Sequence, residues 1–323
     1  MSKVRLSQVF PSLLLVLCTT FSAQAGVTPD SSQGKATNPL KVIATVPTFG
    51  ALLREIGGEL LDVTVLCRCS QDLHSVSATP SLMARLAGAD LLFYSGLDAE
   101  LWLDQMMRGA GNLELAPGAS SAIDMSAGIH LKEVPTSVSR REGDIHAYGN
   151  PHYWTDPIAV RQLAKHVSEV LSARLPDHAD AIRARYATFN ERFTKAIIRW
   201  LTEYKGLRGR QVVSYHRSWP YLLDRFGITR LDTVEPKPRV APTASHLNQL
   251  IGSMKAQGVT VIIREPYQSP DAAQFVAEAA GATVIELTTH PGCPDGTDAI
   301  IDHFDHNLAT LAAALGVQQE TAR

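Results

Sequence analysis

Between residues 177 and 205 the chain carries Ile182, Tyr186, Phe189, Phe193, Ile197, Leu201 and Tyr204 at steps of three or four. Apolar residues on that period line one face of an α-helix. At 1.5 Å per residue such a helix runs about 40 Å, comparable to the diameter of a small domain. A rod of that length joins two bodies stiffly. Before it, strand patterns at 41–46, 62–66 and 90–94 alternate with helical ones at 49–56, 81–86 and 99–107. After it, strands at 211–215, 228–234, 259–263 and 283–287 alternate with helices at 219–226, 244–256, 272–280 and 297–315. Such alternation builds βαβ units around parallel sheets. The expected fold is α/β: two βα lobes with mainly parallel sheets, 41–175 and 207–323, joined by one backbone helix at 176–206.

The first 25 residues read as an export signal. Lys3 and Arg5 form a basic start, an apolar run covers residues 9–17, and Ala23-Gln24-Ala25 offers a small-x-small cleavage site. That run is shorter than the roughly 20 residues a membrane span needs. Leu17 is bulky for the position before a lipid-bearing Cys18, which favours soluble release to the periplasm over a lipid anchor. Residues 26–40 are polar and unpatterned, a flexible leader. The remaining length, about 300 residues, suits two ordinary domains. Thirty Lys and Arg against 32 Asp and Glu, without a basic face, exclude nucleic acid as an expected partner. Beyond Cys18 the cysteines are Cys67, Cys69 and Cys293, an odd number for an oxidising compartment.

The chemistry lies at strand ends. Residues 143–157 read GDIHAYGNPHYWTDP, where Asn150-Pro151 and Asp156-Pro157 bracket a stiff loop around His152. Asp156 then serves as N-cap, with Pro157 at the first position of an apolar helical run. His74 follows the strand at 62–66, and His216 directly follows the strand at 211–215. Ligands in open α/β sheets bind beyond the carboxyl ends of strands, so histidines there, from two facing lobes, converge in the cleft between them. Neutral imidazole suits zinc, and also manganese, iron or nickel where oxygens complete the shell. Glu265, ending the strand at 259–263, is a carboxylate in the corresponding place.

QDLHSVSATPS, GNPHYWTDP, VSYHRSWPYLLDRFG and IIREPYQSP occur in this order along the chain. In these segments the sequence resembles the zinc and manganese solute-binding proteins of bacterial ABC importers, the cluster A-I or cluster 9 metal receptors with a TroA-like fold. The resemblance spans residues 41–315. It implies two lobes joined by one long helix, a divalent ion held between them, and delivery of that ion to an integral-membrane ABC permease by a monomeric receptor. It places His74, His152 and His216 on ligand positions. Histidine at 216, where manganese receptors often carry glutamate, leans toward zinc, with manganese second.

Two departures stand out. Leu73 replaces the usual proline before the first ligand, and Thr288-Thr289-His290 stands where the family's common aspartate ligand would be. The fourth position is left to Glu265, His290 or water, and Glu265 also suits the part of an acceptor that orients an imidazole. There is no long histidine-rich insert; His130 and His146 flank the His152 loop as aids to capture. Cys67, Cys69 and Cys293 fall in loops expected at one rim, where a disulfide from Cys293 to Cys67 or Cys69 would tie the lobes together. Copper(I) thiolate chemistry is disfavoured because methionines do not cluster near these loops. His303 and His306 read as solvated residues of the last helix.

Three histidines and a water also describe a catalytic zinc site, so a zinc-dependent hydrolase with Glu265 as general base is the alternative. Neither a His-Glu-x-x-His helix nor a Gly-x-Ser-x-Gly elbow is present to support it.

Overall fold

The computed structural model describes residues 38–135, 146–237 and 240–319. The export signal, most of the leader and the opening of the His152 loop (143–145) lie outside the described residues. Leu40–Ala44 (β1), Pro47–Gly57 (α1), Leu61–Val65 (β2), Pro80–Ala87 (α2), Leu91–Tyr94 (β3), Leu103–Ala110 (α3) and Ala122–Asp124 (β4) come first. Pro157–Arg174 (α4) and Ala179–Glu203 (α5) follow. Then come Gln211–Ser214 (β5), Pro220–Arg225 (α6), Thr229–Thr233 (β6), Ala244–Gln257 (α7), Val261–Arg264 (β7), Pro270–Ala280 (α8), Thr283–Glu286 (β8) and Ile300–Ala314 (α9).

The strands form two four-stranded sheets, ordered β2-β1-β3-β4 and β6-β5-β7-β8, with every strand pair parallel. One wiring is thus used twice. In each sheet the order reverses beside the first strand, which opens a crevice at the carboxyl ends. The helices start where local chemistry favours it. Thr79, Asp156, Thr243 and Ser269 each accept a backbone N–H at the head of α2, α4, α7 and α8, and Pro follows the cap directly in α2, α4 and α8.

Two expectations shift. β4 is only three residues long, too short to show alternation, and had no sequence signal. Helix α3 starts at Leu103, not Ala99: the chain leaves β3 through Gly96, Leu97 and Asp98 in left-handed backbone angles (φ 71°, 55° and 58°) and runs through turns at 99–102. That conformation cannot propagate a right-handed helix.

Helix α5 has 25 residues, about 37 Å at 1.5 Å each. Arg185 and Arg192 in its first half bond to Gly57 O and Glu55 of α1. In its second half Arg199 pairs with Asp305 of α9 at 2.7 Å. Phe193 packs edge to face on Trp200 and Phe304, which are tilted against each other, between the two helices, in one apolar core that runs through both sheets. A second cluster around Val213, Met254, Ile262 and Val276 fills the far side of the β5–β8 sheet. The helix therefore belongs equally to both lobes. Among the described residues no helix is long and apolar enough to cross a membrane.

Candidate metal centre

His74 lies in a single 3-10 turn, Leu73–Ser75, whose cap Asp72 accepts the His74 backbone N–H at 2.9 Å. Leu73 takes the place of proline here by burial: its side chain is in the core and its carbonyl accepts Trp102 Nε1 at 2.7 Å. The ring is turned by its Nδ1–H, which donates to Ala99 O at 3.0 Å. His152 is gripped by Asn150, whose Oδ1 accepts both the backbone N–H and the Nδ1–H of His152, each at 3.0 Å. His216 follows β5 and gives its Nδ1–H to Glu235 at the end of β6.

Each ring thus spends Nδ1 on an acceptor and turns Nε2 inward. The Nε2 atoms of His74 and His152 stand 3.4 Å apart, and the donor atoms of all three histidines lie within 4.8 Å of one another. With Nδ1–H given to an oxygen in each ring, the neutral tautomer turns its Nε2 lone pair toward the other ring, and a cation between them accepts both. Tetrahedral zinc with bonds of about 2.0–2.1 Å places two nitrogens about 3.3–3.4 Å apart, the separation found here.

Electrostatics separate the three. Burial, then the neighbouring histidines, holds His152 well below the ordinary imidazole range. Burial acts on His216 in the same sense, but the Glu235 hydrogen bond and charge outweigh it and raise that ring. A proton therefore competes with an ion for His216 up to a higher pH than for His152.

A family model for the periplasmic zinc-uptake complex component A, ZnuA, matches residues 42–314. The chain belongs to the ZnuA family. Among its relatives, the high-affinity zinc uptake system protein ZnuA of Bacillus subtilis is 23% identical over 313 residues, covering 94% of this chain and 98% of that one. The zinc-binding lipoprotein AdcA of Streptococcus pneumoniae is 21% identical over 280 residues, covering 83% of this chain but 52% of its own length. The chain thus spans about half the length of the AdcA proteins it matches. A zinc-bound ZnuA deletion mutant superposes with a TM-score of 0.70 at 23% identity, covering 88% of this chain and 100% of that one. A manganese-bound periplasmic metal binding protein from Candidatus Liberibacter asiaticus gives 0.70 at 22%, covering 85% and 99%. These likenesses bear out the two-lobed fold.

Within this ZnuA-family chain the remaining candidates are placed differently. Glu265, at the end of β7, is fully buried, and among the described residues no donor meets either carboxylate oxygen in hydrogen-bond geometry, although Ser218 lies beside it. Burial raises its pKa, partly offset by His216, and it stands outside the group of donor atoms that gather. His290 is buried, shares Nδ1 with Thr48 Oγ1 at 2.9 Å and stacks on Trp154 at 5.0 Å. His303 corrects the sequence expectation: it is not solvated but buried, with Thr288 and Asn307 at its ring nitrogens.

Cys293 pairs with Cys69, with 5.7 Å between Cα atoms and 224 residues spanned. The bond ties the loop that carries His74 to the loop after β8. Cys67 is left as a buried thiol whose pKa is pushed up to about 12, by burial first and then by Asp72 and Glu100.

Sequence reasoning missed Asn150 and Glu235. Asn150 sits two residues before His152 inside GNPHYWTDP, and Glu235 follows β6. The strand-end rule that found His216 would have found Glu235 as well.

Proposed function

We propose that the protein is a periplasmic receptor that captures a divalent metal ion, zinc in preference to manganese, and hands it to the permease of an ABC-type importer without turnover. The observation that carries this reading is the gathering of three imidazole donors within 4.8 Å, each with its other nitrogen committed to an acceptor. A catalytic zinc site needs an open position and a general base at hand. Glu265 is the carboxylate a hydrolase would use, and it is fully buried and outside the three gathered donors.

In this reading His74, His152 and His216 are the ligands. Glu265, coupled electrostatically to His216, supplies buried negative charge toward the dication, as a direct ligand or through that ring. Export by cleavage after Ala25, a monomeric state and the lobe boundaries at 175 and 207 belong to the same proposal. The zinc uptake named for the ZnuA relatives supports the cargo.

The test is metal analysis of protein purified without added metal, followed by competition titration with zinc and manganese. One zinc per chain, tighter than manganese and lost in His152→Ala, is the expected result. Zinc affinity unchanged in His152→Ala, or turnover of ester, phosphate or peptide substrates by the zinc-loaded protein, overturns it.

A further inference from the structure

Tyr221 stands where a backbone hydrogen bond would otherwise close. Asn150 N donates to Lys132 O at 2.8 Å, one half of the exchange by which two antiparallel residues pair. The other half would run from Lys132 N to Asn150 O. Instead Lys132 N donates to the Tyr221 hydroxyl at 3.0 Å, and that hydroxyl donates to Asn150 O at 2.6 Å. A phenol oxygen from α6 is thus inserted into the pair and holds its two segments apart on that side.

The Tyr221 ring is buried, so packing fixes the place of its hydroxyl. The same face of α6 makes two further contacts to this region. Asp224 takes Lys132 Nζ at 2.6 Å, and Arg225 grips Asp156 with two bonds of 2.8 and 2.7 Å. Residues three and four positions after Tyr221 share its side of the helix. Asn150 and Asp156 flank His152 in sequence, while α6 begins at Pro220, shortly after His216. One short helix therefore fastens the His152 loop to the segment that presents His216. The loop is also held from the first sheet, by Tyr153, whose hydroxyl donates to Ser95 O just beyond β3 at 2.8 Å.

We propose that Tyr221 is a positioning residue of the metal centre: its hydroxyl, wedged between Lys132 and Asn150, sets how far His152 stands from His216. This rests on the metal-receptor reading above and deepens it. The two rings lie 5.5 Å apart between centroids, and their joint hold on one ion depends on that spacing. Without the hydroxyl, Lys132 N and Asn150 O are free to meet directly. Asn150 then shifts toward Lys132 and carries with it the ring it grips.

The test is Tyr221→Phe in the full-length protein, which keeps the buried ring and deletes only the hydroxyl. Cobalt(II) serves as the probe beside zinc, because its visible spectrum reports ligand geometry where zinc is silent. Tyr221→Phe should shift the cobalt spectrum and weaken zinc binding at least about tenfold in competition titration. A hydrogen bond with a merely structural role would lower the melting temperature and leave the spectrum of the bound ion as it was. The control is Tyr204→Phe, which loses a hydroxyl bonded to Gln319 at 2.8 Å beyond the end of α5, and it should keep both spectrum and affinity. An unchanged cobalt spectrum in Tyr221→Phe, a zinc affinity within about threefold of wild type, or the same changes in Tyr204→Phe overturns the assignment. If the wild type binds neither zinc nor cobalt, or binds them without His152, the receptor reading itself fails.

Discussion

Asn150 holds His152 at two points, accepting its backbone N–H and its Nδ1–H with the same oxygen. The amide cannot turn over, because its Nδ2 donates to Glu133 at 2.9 Å and to Arg217 O at 2.7 Å. Arg217 adjoins His216, so one side chain links two of the three gathered histidines. Tyr221 completes the link by donating to Asn150 O at 2.6 Å.

Asn150→Ala should therefore weaken zinc binding by about 10- to 100-fold, the usual cost of removing a partner that orients a ligating histidine. Competition titration measures it. The coordinating atoms remain in place, so the zinc spectrum should still show His152. An affinity within threefold of wild type would mean that packing alone orients the ring.

Glu235 sets the acid limb of binding. His216 is raised above the ordinary histidine value and must lose its proton for Nε2 to bind. Zinc affinity should accordingly begin to fall while the pH is still above about 6.5. Glu235→Gln removes the raising charge and should move that fall to lower pH, with weaker binding at neutral pH because the orienting carboxylate is lost. In the metal-free protein the sign is opposite. A folded-state pKa above the unfolded value gives stability that is fully present below the unfolded value and is lost as pH rises through the folded one. Melting of the metal-free protein across pH 5 to 9 should show this loss in the wild type and a flatter curve in Glu235→Gln.

The Cys69–Cys293 bond closes a long loop between the two lobes. Cross-links of this kind contribute about 2–4 kcal/mol by constraining the unfolded chain. Cys293→Ser should lower the melting temperature and speed zinc release, since the His74 loop is no longer fastened to the loop after β8. Cys67, buried with its pKa near 12, should resist alkylation in the native protein, so the odd thiol should not rescue the pairing. Labelling of Cys67 at the rate of a free thiol would contradict that environment.

His74 and His216 were legible because strand ends are marked in sequence, each following an apolar run that closes on polar residues, and His152 because Asn150-Pro151 and Asp156-Pro157 bracket its loop. Their acceptors were less so. Asn150, Glu235 and Ala99 act through contacts between loops, and nothing in local spacing says which acceptor a ring will meet. His303 shows a different limit. Its helix has acidic neighbours at Asp302 and Asp305, so it read as solvated. Yet Ile300, Phe304, Leu308 and Leu311 define the inward face of α9, and His303 and Asn307 lie on it beside Thr288. A buried polar pair satisfied by hydrogen bonds looks, in sequence, like an exposed one.

Helix α5 gives the sharpest test of periodicity. The apolar pattern is satisfied by Leu201 as well as by Trp200, since both continue steps of three or four from Ile197. The helix chooses Trp200, which is fully buried against Phe193 and Phe304, and leaves Leu201 40% exposed. A rise of 3.6 residues per turn keeps 193, 197, 200 and 204 in register and carries 201 around toward solvent. Trp200→Ala should cost about 3–5 kcal/mol, because it empties the point where α5 meets α9. Leu201→Ala should cost under about 1 kcal/mol. Denaturant unfolding of the metal-free protein measures both. Zinc release from Trp200→Ala should also accelerate, since this packing sets the spacing between the lobes that hold His74 and His216. Equal costs at the two positions would mean that the helix presents a different face to the core.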